Sequence, residues 1–246
     1  LTAPVDVRTV FDLASLTKPL VTTAIMMRLV DAKQVGLEDS IERHLESLAR
    51  TALGGRSVAS LLSHTSGLPA WRPWGEDTIA AHGTKLAGTP GVQERFLEAI
   101  AAEPLAPAGI AAEYSDLGYM VLGWLVESVL GCPLDEAFTR LIAEPLGLCR
   151  TFFVRVRGGQ ADEPPCPIEA VAPTEVLNAR GGEIRAAVHD DNAFVLGGVA
   201  GHAGLFSIAG EVAAILQAMI EAWRGNEGGL WQPETVRLFW EWGGAP

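Results

Sequence analysis

The sequence has few cysteines, few basic residues and no long hydrophobic run, and each scarcity excludes a class of protein. Among its 246 residues are three cysteines, Cys132, Cys149 and Cys166, whose spacing fits neither a metal-binding motif nor a disulfide framework. Acidic residues outnumber basic ones, 30 to 18, and the net charge of −12 argues against nucleic acid or an anionic membrane as a partner. No run approaches the roughly eighteen apolar residues of a membrane span, and no internal repeat occurs.

Apolar residues are plentiful, and their spacing predicts a chain that is mostly helical. They make up 48% of the sequence, which is enough for a sizeable core. The best strand candidate is 151–156, and Gly and Pro residues make 70–90 and 157–187 loop-like. Helices are predicted over 16–33, 58–63, 92–102, 117–130, 134–143, 209–223 and 233–242.

A serine and a lysine lie one helical turn apart in the stretch Ser15-Leu-Thr-Lys18-Pro19. Proline lacks a backbone N–H and is tolerated only in the first turn of a helix, so Pro19 sets the helix start near Ser15. Residues i and i+3 share a helix face, which places the Lys18 amine beside the Ser15 hydroxyl. A hydroxyl next to an amine at the positive end of a helix is typical of an activated nucleophile.

The same residues also admit a structural interpretation, with Ser15 as an ordinary N-cap and Lys18 as a solvated side chain. The helix that follows is apolar on nearly every side from Leu20 to Val30, which predicts that it is buried. A lysine at the head of a buried helix is costly unless it is paired or loses its charge, and this favours a functional lysine.

A second polar group, Tyr114-Ser115-Asp116, precedes the predicted helix 117–130. Ser115 or Asp116 can cap that helix. Tyr114 comes just before the cap, and a phenol beside a lysine ammonium can act as a general base because the positive charge favours its anionic form.

These two motifs, in this order, resemble the serine β-lactamase-like or penicillin-binding superfamily, which includes class C β-lactamases, D-Ala-D-Ala carboxypeptidases and family VIII esterases. The segments 61–68 (Leu-Leu-Ser-His-Thr-Ser-Gly-Leu), 188–193 and 197–207 extend the resemblance over nearly the whole chain. The resemblance implies an α+β fold of the β-lactamase/transpeptidase type and a single domain over 1–246.

The resemblance also assigns roles to residues of the two motifs. It implies that Ser15 is the acylated nucleophile, that Lys18 takes its proton, and that Tyr114 relays or accepts it. Asp116 stands where many members have Asn, beside the lysine and the substrate amide. A carboxylate there would hold Lys18 charged more firmly.

Members of the superfamily carry a third motif, Lys-Thr-Gly or His-Thr-Gly, on a strand that also supplies an N–H group to the oxyanion hole. No such motif occurs in this sequence after Ser207. The string Gly201-His202-Ala-Gly204 is nearest, which makes His202 and Gly204 candidate substrate-binding residues, although it resembles a loop upstream of that motif. The chain has no initiating Met and no signal peptide, so we expect truncation at both ends.

Truncation would leave mostly the helical part of the fold, with much of the antiparallel sheet missing. Leu20 and Ala24 would then be exposed to water, and we expect residues 1–246 alone to be poorly folded or associated. Without one oxyanion donor, we also expect them to be nearly inactive.

Two histidines and two tryptophans admit both functional and structural interpretations. We expect His64 to be a structural hydrogen-bonding residue rather than a base. His189, with Asp190 and Asp191, is expected to anchor a loop rather than to form a metal site or a triad. Trp71 and Trp74 either rim an acyl pocket or cover an apolar patch.

The sequence predicts a serine hydrolase that cleaves esters or amides through an acyl-enzyme, without metal or cofactor. Its substrate would be a small-molecule ester, amide or β-lactam. Esterase activity ranks ahead of D-Ala-D-Ala carboxypeptidase and β-lactamase activity. The alternative of another class is a non-catalytic or fragmentary member that only binds a ligand or partner. The compartment, bacterial cytoplasm or periplasm, and the oligomeric state stay open.

Overall fold

The computed structural model describes residues 4–241, which contain nine α-helices and seven short strands besides short 3-10 and π-helical turns. The helices are α1 (Ala24–Asp31), α2 (Val58–Leu62), α3 (Trp74–His82), α4 (Val92–Ala101), α5 (Asp116–Leu130), α6 (Leu134–Phe138), α7 (Asp191–Val195), α8 (Ala209–Trp223) and α9 (Pro233–Glu241). The strands are β1 (Phe11–Asp12), β2 (Phe152–Phe153), β3 (Val156–Arg157), β4 (Gln160–Ala161), β5 (Val176–Leu177), β6 (Gly182–Glu183) and β7 (Leu205–Ser207).

The largest sheet has three antiparallel strands in the order β1-β7-β2. Phe206 at its centre lies opposite Asp12 on one side and Phe152 on the other. The other strands form two hairpins, β3-β4 and β5-β6. The predicted α+β fold, mostly helical with little sheet, is confirmed for the described residues.

One hydrophobic core joins the helices, and α1 and α5 lie at its centre. Trp231, between α8 and α9, closes the core and donates from Nε1 to the Ala24 carbonyl oxygen at 2.9 Å. Leu20 is only 2% exposed and Ala24 is fully buried. The expectation that these two side chains face water is therefore wrong, because the helices of this chain cover them.

The first predicted helix is present and has two parts. A π-helical turn, Lys18–Thr23, runs directly into α1. Pro19 lies in its first turn, as its missing N–H predicts. A second π-helical turn, Thr139–Ala143, extends α6 in the same way, so the predicted helix 134–143 is also confirmed.

Two sequence-based boundaries need correction, and a third is tested only in part. The segment 70–90 contains helix α3, which α7 stabilises: the Gly75 N–H donates to Asn192 Oδ1 at 2.7 Å. The strand expected over 151–156 is split between β2 and β3, which belong to different sheets. The helix expected over 233–242 is described to Glu241, and position 242 lies outside the described residues.

No single helix among residues 4–241 has the length and apolar character needed to cross a membrane. The α5 segment and the helix 134–143 meet those criteria only as a pair bent by 72°.

Candidate active site

Ser15 lies in a short 3-10 turn, Ala14–Leu16, directly after β1. Asp12 shapes this turn, because its Oδ1 accepts the Ala14 N–H at 2.8 Å and its Oδ2 accepts the His189 N–H at 2.7 Å. Ala14 has a φ of +46°, a left-handed conformation that L-residues rarely adopt. The turn exposes Ser15, whose hydroxyl caps no helix, so the N-cap interpretation is wrong.

The Lys18 amine lies at the centre of the site. Its Nζ is 2.9 Å from Ser15 Oγ, 2.6 Å from Asp116 Oδ1 and 3.3 Å from the His202 carbonyl oxygen. Only 3% of the Lys18 side chain is exposed. The contacts to Ser15 and to the His202 carbonyl are hydrogen bonds, whereas the contact to Asp116 is an ion pair whose Oδ1 atom is buried without a hydrogen-bond partner among the described residues. The expected contact of Lys18 with Ser15, and a partner for the buried lysine, are confirmed.

Ser115 and Asp116 divide the capping and pairing roles at the start of α5. The Ser115 hydroxyl accepts a backbone N–H of the first turn at 3.2 Å and donates to the Pro69 carbonyl oxygen at 2.8 Å. Because Ser115 caps the helix, the Asp116 carboxylate is free to pair with Lys18. The Asp116 N–H donates to the Ala70 carbonyl oxygen at 2.8 Å, which ties the helix to the loop after α2.

Tyr114 lies next to the lysine and to solvent. Its ring centroid is 4.7 Å from Lys18 Nζ, which is a cation–π approach. The residue is 53% exposed, and its hydroxyl makes no hydrogen bond within residues 4–241. The expected proximity of Tyr114 to Lys18 is confirmed, and a direct contact between the phenol and Ser15 stays a prediction.

His64 contacts the residues on both sides of Tyr114. Its carbonyl oxygen accepts the Glu113 N–H at 2.9 Å, and its ring Nδ1 accepts the Ser115 N–H at 2.9 Å. The His64 ring also lies against the Tyr114 ring, with 4.6 Å between centroids. The prediction that His64 is a hydrogen-bonding residue is confirmed.

His202 and Gly204 are both buried, and their contact with a substrate stays a prediction. The His202 side chain is 1% exposed, and its Nε2 lies 3.0 Å from Asp190 Oδ1, so only its carbonyl reaches Lys18. Gly204 is buried with a φ of +117°, and a Cβ there would lie 2.4 Å from the Gly198 carbonyl oxygen. Glycine is needed at 204 so that the chain can turn into β7.

Asp190 anchors its loop, as predicted. Its Oδ1 accepts the Ala193 N–H at 2.7 Å and thereby caps α7. Burial alone would raise the pKa of the Asp190 carboxyl, but the charge and hydrogen bond of His202 outweigh it and lower the pKa to about 2. The side chain of the neighbouring His189 pairs with Glu175 at 2.7 Å. Residues 4–241 contain no group of three side chains suited to hold a metal ion.

The two tryptophans have different surroundings. Trp71 lines a cavity of about 610 Å³ together with His189 and Asp190. Trp74 packs edge-on against Phe96, with ring centroids 5.6 Å apart. Trp74 fits the interpretation as apolar cover, whereas the cavity beside Trp71 is not lined by Ser15 or Lys18, so its role at an acyl pocket stays a prediction.

Known proteins match both the sequence and the fold. The sequence profile of the beta-lactamase family matches residues 2–245. An Escherichia coli K12 protein named D-alanyl-D-alanine carboxypeptidase is 32% identical over 244 residues, which cover 94% of this chain and 55% of that protein. A Bacillus subtilis 168 protein named N-acetylmuramyl-L-alanine amidase is 31% identical over 252 residues, which cover 96% and 56%. The chain thus spans a little over half the length of these curated relatives.

Solved structures show the same fold. The penicillin-binding protein from Bacillus halodurans superposes with a TM-score of 0.70 at 19% identity, over 95% of this chain and 65% of that one. EstCE1, described as a hydrolase with promiscuous acyltransferase activity, gives a TM-score of 0.64 at 26% identity, over 96% and 64%.

A helix-rich α+β fold with a serine and a lysine one turn apart defines the class of serine β-lactamase-like and penicillin-binding proteins. Within this class, the chain belongs to the beta-lactamase family. The resemblance inferred from the motifs is confirmed, and members of the superfamily are serine hydrolases.

Proposed function

We propose that the chain carries the acylation site of a serine hydrolase that cleaves esters or amides. The observation that carries this proposal is the exposed Ser15 hydroxyl, held 2.9 Å from the buried amine of Lys18. A nucleophile and a base within hydrogen-bond reach, with the base oriented by a third group, are the signature of nucleophilic catalysis. Asp116 is that third group, 2.6 Å from the amine.

Three acceptors surround the resting ammonium, so Lys18 must lose a proton before it can act as a base. The shortest contact, to Asp116, offers a place for that proton. Neutral Lys18 then takes the Ser15 proton as Oγ attacks the carbonyl carbon, and the regenerated ammonium protonates the leaving group as its bond to that carbon breaks. In the second step water attacks the acyl carbon while neutral Lys18 takes its proton, with the Tyr114 hydroxyl placed to relay it, and the regenerated ammonium returns a proton to Ser15 Oγ as its bond to that carbon breaks.

The substrate class has three candidates. Esters remain the first candidate, and the likeness to EstCE1, a hydrolase with acyltransferase activity, supports acyl transfer at this site. A D-Ala-D-Ala carboxypeptidase is the second candidate, supported by the relative of that name. A β-lactamase ranks third because Asp116 replaces the usual Asn. A member that only binds a ligand is the rival, and it is supported by the lack of a third motif between Ser207 and Pro246.

Hydrolysis of a short-chain p-nitrophenyl ester tests the proposal, with Ser15→Ala beside wild type and the exposed Ser47→Ala as matched control. Lack of one oxyanion donor would lower the rate by about a hundred- to a thousandfold, so low activity stays a prediction. We expect turnover in wild type and Ser47→Ala and none in Ser15→Ala. Equal turnover in all three would place the nucleophile elsewhere. Release of D-Ala from a D-Ala-D-Ala peptide separates the first candidate from the second.

A further inference from the structure

His64 makes three contacts that together fix Tyr114, the residue between Glu113 and Ser115. Its carbonyl oxygen and its ring Nδ1 hold the backbone on the two sides of Tyr114, each at 2.9 Å, and its ring supports the Tyr114 ring. The Tyr114 hydroxyl has no hydrogen bond among the described residues, and more than half of the residue is exposed. Contacts to its backbone and ring are therefore what hold the phenol beside Lys18.

We propose that His64 is a positioning residue, which holds Tyr114 over the Lys18 ammonium only while the His64 ring is neutral. The inference rests on the proposed function, in which Tyr114 handles a proton at the acylated serine. His64 itself is assigned no contact with substrate.

The requirement for a neutral ring follows from the hydrogen bond. Nδ1 accepts the Ser115 N–H, so it must carry a lone pair and not a proton. If Nδ1 carried a proton, two N–H donors, those of His64 Nδ1 and the Ser115 backbone, would face each other at 2.9 Å. The hydrogen bond that holds the backbone after Tyr114 would then be lost. It would also add a second positive charge beside Lys18.

The surroundings of His64 favour the neutral form. Lys18 faces the ring from the π-helical turn, Asp116 and Tyr119 face it from α5, and Tyr114 faces it from the preceding loop. Burial, with help from the Lys18 charge, lowers the pKa of His64 from the ordinary 6.5, and Asp116 only partly opposes this. The ring therefore stays an acceptor through neutral pH and loses that role on the acid side.

Asparagine offers a conservative replacement. Asn Oδ1 lies the same number of bonds from the backbone as His Nδ1 and accepts a hydrogen bond at any pH used here. Asparagine also tolerates the left-handed conformation at this position, where His64 has a φ of +61°. His64→Asn thus removes the titration and keeps the acceptor, whereas His64→Phe keeps the ring contact and removes the acceptor.

The first measurement is the rate constant with which a fluorophosphonate labels Ser15, followed from pH 5 to 9. We expect wild type to lose rate below pH 6.5, where His64 takes up a proton. His64→Asn should lack this acid-side ionisation. The control is His82→Asn, because His82 is an exposed histidine at the end of α3, and it should keep the wild-type profile.

The second measurement is a double-mutant cycle with Tyr114 at pH 8. We expect His64→Phe to lower the labelling rate about ten- to a hundredfold, because a misplaced catalytic group costs about that much. In a Tyr114→Phe background the same change should cost less than about twofold, since the group that it positions is gone. Thermal melts of each variant show that the comparison is made on folded protein.

The outcomes separate this inference from the proposed function. The positioning role is overturned if Ser15 is labelled but His64→Asn keeps the wild-type loss of labelling rate at acid pH. It is also overturned if His64→Phe lowers the labelling rate equally with Tyr114 and with Phe at position 114. No Ser15 labelling in folded wild type overturns the proposed function, and the positioning role with it. The inference is supported if His64→Asn lacks the acid-side ionisation and if His64→Phe has little effect in the Tyr114→Phe background.

Discussion

Lys18 is the residue whose surroundings decide what the site can do. A buried ammonium without an acidic partner costs several kcal/mol, and here the Asp116 carboxylate is the partner in direct contact, while the Lys18 charge also helps to lower the pKa of Asp190. The other two acceptors are neutral oxygens, of the Ser15 hydroxyl and the His202 carbonyl. The pair with Asp116 therefore bears on both stability and catalysis.

Asp116→Ala should destabilise the fold by about 3–5 kcal/mol, because it leaves a buried charge unpaired. Urea unfolding followed by circular dichroism measures this change. The control is Arg8→Ala, which breaks the exposed Arg8–Asp6 ion pair and should cost less than about 1 kcal/mol. Similar midpoints for the two variants would mean that Lys18 does not depend on Asp116 for its charge.

The Asp190–His202 pair predicts that the stability of the fold depends on pH in the acid range. The pKa of the Asp190 carboxyl is lowered to about 2 from the ordinary 3.8. A lowered carboxyl pKa contributes stability above 3.8 that is lost as pH falls through the folded value. Asp190→Asn should thus cost about 2 kcal/mol at neutral pH, and the difference from wild type should shrink between about pH 4 and 2.

The neighbouring Asp191 is the matched control for this titration, because burial raises the pKa of its carboxyl. Its protonation favours the folded state, so Asp191→Asn should change the acid dependence in the opposite direction. Urea midpoints measured at pH 7, 4 and 3 compare the two variants. If the urea midpoints of both variants changed with pH in the same way, the lowered pKa of Asp190 and the raised pKa of Asp191 would be contradicted.

At the scale of elements, α5 and the loop 197–204 must approach closely to bring the His202 carbonyl to Lys18. A Cβ on Gly123 would lie 2.9 Å from the Gly201 backbone, whereas a Cβ on Gly118, in the same helix, would meet nothing closer than 3.7 Å. Gly123→Ala should therefore cost about 1–3 kcal/mol and slow Ser15 labelling, because the loop is pushed away from Lys18.

Gly118→Ala provides the comparison within one helix. It should be neutral or should stabilise by about 0.5–1 kcal/mol, because alanine has the higher helix propensity. Chemical unfolding of both variants gives the two values. Equal effects would show that the close approach of α5 to the loop does not constrain position 123.

Several elements follow from local sequence because local chemistry determines them. Pro19 marks the start of the first helix, and Ser115 caps α5 as its residue type predicts. The spacing of Ser15 and Lys18 predicts their contact, since both lie within one turn. These predictions depend on residues at most a few positions apart.

The remaining features depend on contacts between distant segments. Helix α3 was expected to be a loop because Pro73 and Gly75 suggest irregular structure, yet Asn192 and the close backbone of α7 hold it in place. The burial of the His202 ring against Asp190 has no local signal, because two separate loops must converge. The sequence therefore does not predict that the His202 ring is buried.

At the scale of the whole molecule, the continuous core predicts cooperative unfolding. The core extends from Leu20 to Val236, so residues 1–246 should melt in one transition. The expected enthalpy is roughly 170 kcal/mol, at about 0.7 kcal/mol per residue. Differential scanning calorimetry tests this. A scan without a transition would restore the earlier expectation of a poorly folded chain, although that expectation rested on exposure of Leu20 that the structure does not show.

Intact-mass spectrometry after incubation with a fluorophosphonate tests the central claim most directly. If Ser15 is the activated nucleophile, folded wild type should gain one phosphonyl group, and peptide mapping should place it on Ser15. Lys18→Met, which removes the amine 2.9 Å from the hydroxyl, should suppress labelling by about a hundredfold or more, with Arg8→Ala unaffected. A folded wild-type chain that gains no mass, or that is labelled at another residue, would contradict the account.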